Sequence, residues 1–276
     1  MVAERLFERS HRSRRRASAP ADERQDHMDF EGKTALITGS GAIGGLGHAT
    51  ARILAAGGAN VIITGTDPDR GAQVVEDVRG NAAGSAGTVR FIPADLADPQ
   101  AVQRLAADAG PVDILVNNAG VVPFSATADQ DIADYEAAFA VNVRAPFILT
   151  AQLAPKMAAG GGGSIVNVSS TAAGLGMPLM AVYGATKAAI ESLTRTWAAE
   201  FAASNVRVNA VSPGPMTTSK VVAAMGPDLG GMGLTTALKR AADPAEVAQV
   251  IAFIASDQAS YVTGAVVAAD GGRTAI

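Results

Sequence analysis

From Thr34 onward the chain alternates two kinds of apolar pattern. Short, mainly apolar runs are followed by longer stretches in which apolar residues return every three or four positions. The short runs are Thr34–Thr38, Asn60–Thr64, Val89–Pro93, Ile114–Asn117, Ser164–Ser169, Val206–Val211 and Ala265–Ala268. Largely continuous apolar character predicts strands buried on both faces, as in a parallel sheet. The helical stretches fall near 45–57, 69–79, 99–109, 131–158, 181–203 and 244–256. Strands alternating with helices imply βαβ units with right-handed crossovers. The expected fold is therefore α/β, a single doubly wound parallel sheet in the Rossmann arrangement, with about seven strands and helices on both faces. Ligands bind such sheets beyond the carboxyl ends of the strands, where the strand order reverses.

The pattern does not extend to the first residues. Residues 1–28 hold seven arginines, no lysine and no apolar period, and are expected to form a solvated tail. They lack the apolar core of a signal peptide, and Glu4 and Glu8 speak against a transit peptide. Met28 is a candidate natural start, because "MDFEGKTALITG" already opens the first strand. Residues 29–276 are expected to form one domain, since no linker divides them. Hydrophobic residues at 48% and charged ones at 17% describe a chain with a large core. A net charge of −4 without a basic cluster argues against nucleic acid as a partner. No apolar run has the length of a membrane span, so no membrane is expected. The absence of cysteine removes disulfides, thiolate metal sites and cysteine nucleophiles, and fits a cytoplasmic setting; no metal site is expected.

The candidate chemistry lies at strand ends. "TGSGAIGGLG", Thr38 to Gly47, joins the first strand to a helix, the context of a dinucleotide fingerprint. Glycines there let backbone N–H groups approach a pyrophosphate, and the helix dipole favours its charge. Two registers fit, Gly41-x-x-x-Gly45-x-Gly47 and Gly41-x-x-Gly44-x-x-Gly47. Asp95-Leu96 follows the third strand, where a carboxylate can accept from an adenine amino group. Asn118-Ala119-Gly120 follows the fourth, and Pro213-Gly214 with Met216 and Thr218 follows the sixth, forming a rigid turn. At the end of the second strand, Thr64-Gly65-Thr66-Asp67 offers no acid at position 65 to select NAD, and Arg70 is the nearest cation. Asp67 opposes a phosphate if it turns inward, although "DPD" before a helix reads as an N-cap. NADP(H) is expected over NAD(H), by a narrow margin.

Tyr183 and Lys187 stand at i and i+4, on one helix face. A phenol is a poor base near neutrality, and an ammonium close by lowers its pKa. Ser170, ending the fifth strand, is placed to hydrogen-bond a substrate oxygen, and Asn142 on the long helix to hold a water between Lys187 and solvent.

With "TGSGAIGGLG", "DLAD", "NNAG", "VNV", "IVNVSS", "YGATK", "NAVSPG" and "YVTGAVVAADGG" in order, the chain from Asp29 to Gly272 resembles the short-chain dehydrogenases/reductases, in their short single-domain branch. The resemblance implies that Tyr183 is the acid/base, that Ser170 polarises the substrate, and that Lys187 binds the nicotinamide ribose and lowers the tyrosine pKa. Asn142 then supports the proton relay. It further implies a homotetramer or homodimer, paired through residues 131–158, 181–203 and 261–276. Against the family's Thr-Gly-x-x-x-Gly-x-Gly, Gly39, Gly45, Leu46 and Gly47 align, and Ser40 to Gly44 put five residues where three are usual. Contacts carried to Ser40 and Gly44 are correspondingly less direct.

The expected activity is interconversion of a secondary alcohol and a ketone by hydride transfer, on a small to medium, largely apolar substrate. A glycine-rich stretch at 216–238, with Val221, Val222, Met225, Leu229, Met232 and Leu234, reads as a mobile lid. Pro123, Phe124, Met177, Leu179 and Met180 are candidates for the remaining wall. A 3-oxoacyl-(acyl-carrier-protein) reductase is the alternative, weakened by the lack of a basic docking face. A silent dinucleotide-binding protein is disfavoured by the presence of Tyr183 and Lys187. An epimerase or dehydratase of the longer branch needs a larger C-terminal domain than residues 215–276.

Overall fold

A computed structural model describes residues 28–276; the Arg-rich tail expected at 1–28 therefore lies almost wholly outside the described residues. Seven strands form one parallel sheet: β1 Thr34–Ile37, β2 Asn60–Gly65, β3 Val89–Pro93, β4 Ile114–Asn117, β5 Gly163–Val168, β6 Val206–Pro213 and β7 Val266–Ala269. Their order is β3-β2-β1-β4-β5-β6-β7, and every neighbouring pair is parallel. The order reverses between β1 and β4, so the crevice for a ligand opens where those two strands end.

The helices are α1 Leu46–Ala56, α2 Pro68–Asn81, α3 Pro99–Asp108, α4 Ile132–Phe139, α5 Ala145–Ala159, α6 Ala181–Phe201, α7 Ser219–Met225 and α8 Pro244–Ala255. They cover the sheet in two layers, which is why the strands are mainly apolar on both faces. Ala35 and Ile37 of β1 pack with Leu54 of α1, Val74 of α2 and Ile251 of α8. Leu36 points the other way, toward Leu105 of α3, Leu149 of α5 and Trp197 of α6.

The helix starts are written in the sequence. α2, α3 and α8 each open with an aspartate cap followed by proline: Asp67-Pro68, Asp98-Pro99 and Asp243-Pro244. α1 differs: its cap is Gly45, with no side-chain cap bond and no acid in the first turn.

Two features depart from the sequence reading. The single helix expected over 131–158 is α4 and α5 joined by a π-helical turn, Ala140–Arg144. The apolar composition of that combined run reflects burial, since half of its most apolar window is packed inside the protein. The stretch 216–238, read as glycine-rich lid, contains α7 and a short 3-10 segment, Leu229–Thr235, kinked at Gly230 and Gly231.

Candidate active site

A cleft of about 540 Å³ lies over the β1/β4 switch point. Its floor is the glycine turn. Gly39 has φ +65°, and a Cβ there would lie 2.6 Å from the Cα of Ala119. Only glycine lets the two strand ends approach this closely. The approach is held by Thr38, whose Oγ1 accepts the N–H groups of Asn118 and Ala119, each at 3.0 Å. Asn118 reciprocates, its Nδ2 donating to Thr38 O at 2.8 Å and Gly39 O at 3.1 Å. Gly47 packs beneath, where a Cβ would meet Asn118 Nδ2 at 2.6 Å.

Thr38-Gly39 follows β1, Gly45 caps α1, and Leu46-Gly47 begins that helix. The N–H groups of Ser40 and Gly41 both reach Thr64 O at 3.2 Å, and Gly41 lies against Gly65. The loop is thus pinned to the end of β2.

Gly39, Gly45, Leu46, Thr66, Asp95, Leu96, Asn118, Ala119, Gly120, Ser170, Tyr183, Lys187, Pro213, Gly214, Met216 and Thr218 all line the cleft. Four expected residues do not. Ser40 is fully buried and turns inward, donating to Ile37 O at 2.7 Å and accepting from Thr64 N at 3.2 Å, so its hydroxyl holds strands instead of facing a ligand. Gly44 stands against Ser219, Gly47 under Asn118, and Asn142 behind Gly120. Asp67 caps α2, accepting from Asp69 N and Arg70 N, and Arg70 Nε bonds its other oxygen at 2.9 Å. The inward carboxylate that would oppose a phosphate is therefore absent, and Arg70 is engaged.

The residues present fit a dinucleotide. The uncapped N-terminus of α1 presents N–H groups to an anion, glycine backbone flanks it, and Asp95 keeps one oxygen unbonded among the described residues after Oδ1 accepts Ala97 N.

The acid/base candidates converge at the ends of β5 and α6. Tyr183 is largely buried, which pushes its phenol above the usual tyrosine range, while a hydrogen bond with Ser170 acts in the opposite sense. Ser170 Oγ also accepts Ala172 N at 3.2 Å, which fixes its position at the strand end. Lys187 is 3% exposed, and burial pulls its pKa from 10.5 to about 8. Its Nζ donates to Val168 O at 2.7 Å and stands 5.6 Å from the centre of the Tyr183 ring. In the protein alone, desolvation is the larger influence on the phenol, and it raises the pKa.

Asn142 occupies the π turn. Its Oδ1 accepts Val121 N at 2.9 Å, and its Nδ2 donates to Val121 O at 2.9 Å and Thr186 Oγ1 at 3.0 Å. Both Nδ2 hydrogens are thus used, and the amide ties the Gly120-Val121 backbone to Thr186 of α6. A Cβ on Gly120 would sit 3.5 Å from Asn142 Oδ1 and 3.6 Å from Lys187 Nζ, so all three groups meet there. Behind them Asn117 donates to Asn167 at 2.8 Å, and Asn167 to Thr194 at 2.9 Å, tying β4, β5 and α6. Thr38, Thr186 and Asn167 were not expected at the site; only their buried hydroxyl and amide partners, distant in sequence, reveal them.

The comparisons agree with this arrangement. A family model described as enoyl-(acyl carrier protein) reductase matches residues 41–274. The chain is 38% identical over 254 residues to a 3-oxoacyl-(acyl-carrier-protein) reductase of Thermotoga maritima, covering 89% of this chain and 99% of that one. It is also 38% identical over 252 residues to a cis-4-hydroxycyclohexanecarboxylate dehydrogenase of Sinomonas cyclohexanicum, covering 90% and 98%. A solved short-chain dehydrogenase/reductase family protein superposes with a TM-score of 0.83 at 48% identity, covering 90% of this chain and all of that one. Motifs, strand order and these likenesses lead to one statement: the chain belongs to the short-chain dehydrogenase/reductase family.

Proposed function

We propose that the protein interconverts a secondary alcohol and a ketone, with Tyr183 as the proton donor and acceptor. The observation that carries this reading is the meeting of Tyr183, Ser170 and Lys187 in the cleft that the glycine loop floors. Bound NAD(P)(H) supplies or accepts the hydride. Tyr183 donates its phenolic proton to the carbonyl oxygen as negative charge develops there, and takes it back in the reverse direction. Ser170 donates a hydrogen bond to the same oxygen. The Lys187 ammonium stabilises the phenolate left behind, and Asn142 holds the Gly120-Val121 backbone beside it.

The substrate is proposed to be small to medium and largely apolar. Val121, Val122 and Met216 line the cleft, and Ser125 N donates to Leu179 O at 3.0 Å, joining the two loops expected as its wall. Phe124 and Met225 are exposed apolar groups on those segments, whereas Leu229 is fully buried and serves the packing of the lid itself. The relation to a 3-oxoacyl-(acyl-carrier-protein) reductase keeps that activity as the alternative. NADP(H) is the proposed cofactor, supported by Gly65 and Thr66 lining the cleft while Asp67 is turned onto α2. A homotetramer in the cytoplasm is proposed from the exposed apolar side chains Ile132, Phe147, Phe253 and Tyr261 and from the absence of cysteine.

Following NADH and NADPH absorbance against a panel of cyclic and linear ketones and alcohols tests this reading. Turnover of apolar ketones with NADPH is expected. Failure to bind either nucleotide would overturn it.

A further inference from the structure

The lengthened glycine loop is held from both sides by groups that the redox chemistry does not use. His48, in the first turn of α1, is 4% exposed. Its Nδ1 accepts the Gly44 N–H at 3.2 Å, so the ring proton sits on Nε2, which donates to Asp77 Oδ2 of α2 at 2.7 Å. On the opposite side the Gly44 carbonyl accepts Ser219 N at 3.0 Å, and Ile43 O accepts Ser219 Oγ at 2.9 Å. Both acceptors belong to the lengthened part of the loop, Ser40 to Gly44. Gly44 has φ +79°, and a Cβ there would lie 3.0 Å from Ser219 Cβ and Oγ, so glycine is required twice over. Ser219 is the first residue of α7, which opens the lid stretch.

We propose that His48 is a positioning residue: by fixing the Gly44 peptide against Asp77, it seats the substrate lid on the cofactor loop through Ser219. Loop order and lid order are then set together, because one peptide unit serves both. The inference rests on reading residues 216–238 as the lid. A histidine that merely filled the core would support α1 against α2 without acting on α7. It would also have no reason to hold its ring nitrogen under a loop amide.

The test uses the full chain. His48→Leu removes the acceptor at similar bulk, and His48→Asn restores an oxygen near the Nδ1 position without reaching Asp77. Ser219→Pro cuts both lid bonds at a first helical position that accepts proline. The preceding Thr218 is already extended, at φ −65° and ψ 150°, as a residue before proline must be. Trypsin cleavage after Lys220 in the ligand-free protein reports lid order, and KM for ketone and for NAD(P)H reports its effect on binding. His48→Leu and Ser219→Pro are each expected to raise the cleavage rate and the ketone KM roughly three- to tenfold, from the loss of one or two hydrogen bonds. His48→Asn should recover most of this, and the double variant should be no worse than the worse single, because both cut one chain. Unchanged cleavage at Lys220 in His48→Leu, or effects that multiply in the double variant, would overturn the proposal. The cleavage needs no substrate, so its failure is distinct from that of the reductase reading, which would show as no NAD(P)H turnover in the unaltered chain.

Discussion

Replacing Lys187 with methionine removes a charge that the fold buries at a cost. Burial lowers the lysine pKa from 10.5 to about 8, and the side chain is 3% exposed. Each pKa unit corresponds to about 1.4 kcal/mol, so holding the ammonium at neutral pH costs on the order of 3 kcal/mol. The sign follows from linkage. Between about pH 8 and pH 10.5 the unfolded chain binds a proton at this site that the folded chain has released, so stability rises with pH across that window. Below it the slope vanishes. The lost bond to Val168 O shifts the variant by an amount that does not vary with pH, so the difference between the two proteins isolates the titration. Urea unfolding of both at pH 7 and pH 9.5 should show the wild type gaining about 2 kcal/mol on Lys187→Met, most of the full effect. Tyr183 is displaced upward from 10 and titrates above this range. A flat difference would mean that the buried ammonium keeps its solution pKa, and one that falls with pH that the fold raises it; either result refutes the reasoning.

Further substitutions probe the frame around that charge. Asn142→Leu leaves Val121 N–H, Val121 O and Thr186 Oγ1 without their partner and should destabilise by about 2–4 kcal/mol in thermal or urea unfolding. Gly39→Ala puts a Cβ 2.6 Å from Ala119 Cα at φ +65°, and should cost about 2 kcal/mol or more as well as nucleotide affinity, read by fluorescence titration with NAD(P)H. Thr66→Asp places a carboxylate at the mouth of β2 and should raise the ratio of kcat/KM for NADH over NADPH by about tenfold or more. Ser170→Ala should lower kcat about tenfold to a hundredfold while leaving nucleotide binding near its original value, since the hydroxyl acts on the substrate oxygen.

Much of this architecture is legible in the residues. Strands such as Val61-Ile62-Ile63 are apolar without interruption because both faces are covered, and the Asp-Pro pairs announce α2, α3 and α8. Tyr183 and Lys187 are visible because one helix face fixes their relation locally. What sequence could not show depends on partners far along the chain. The π turn forms around Asn142 bonds to Val121, and α7 is too short to print a clear period. Ser40 reads as a loop hydroxyl, yet it faces Thr64 across the β1/β2 pair. His48 is a lone histidine in a helix until Asp77, 29 residues later, and Gly44 are brought to either side of its ring. The lysine beside the tyrosine is legible in the sequence, whereas the burial that raises the phenol pKa depends on packing from distant parts of the chain.

Whether the Tyr183 phenol carries the proton is decided by Tyr183→Phe. Nucleotide affinity by fluorescence titration should stay within about twofold, while kcat with a ketone that the wild type reduces falls by at least about a hundredfold at every pH tested. Turnover within tenfold of wild type, with the nucleotide still bound, would contradict the account.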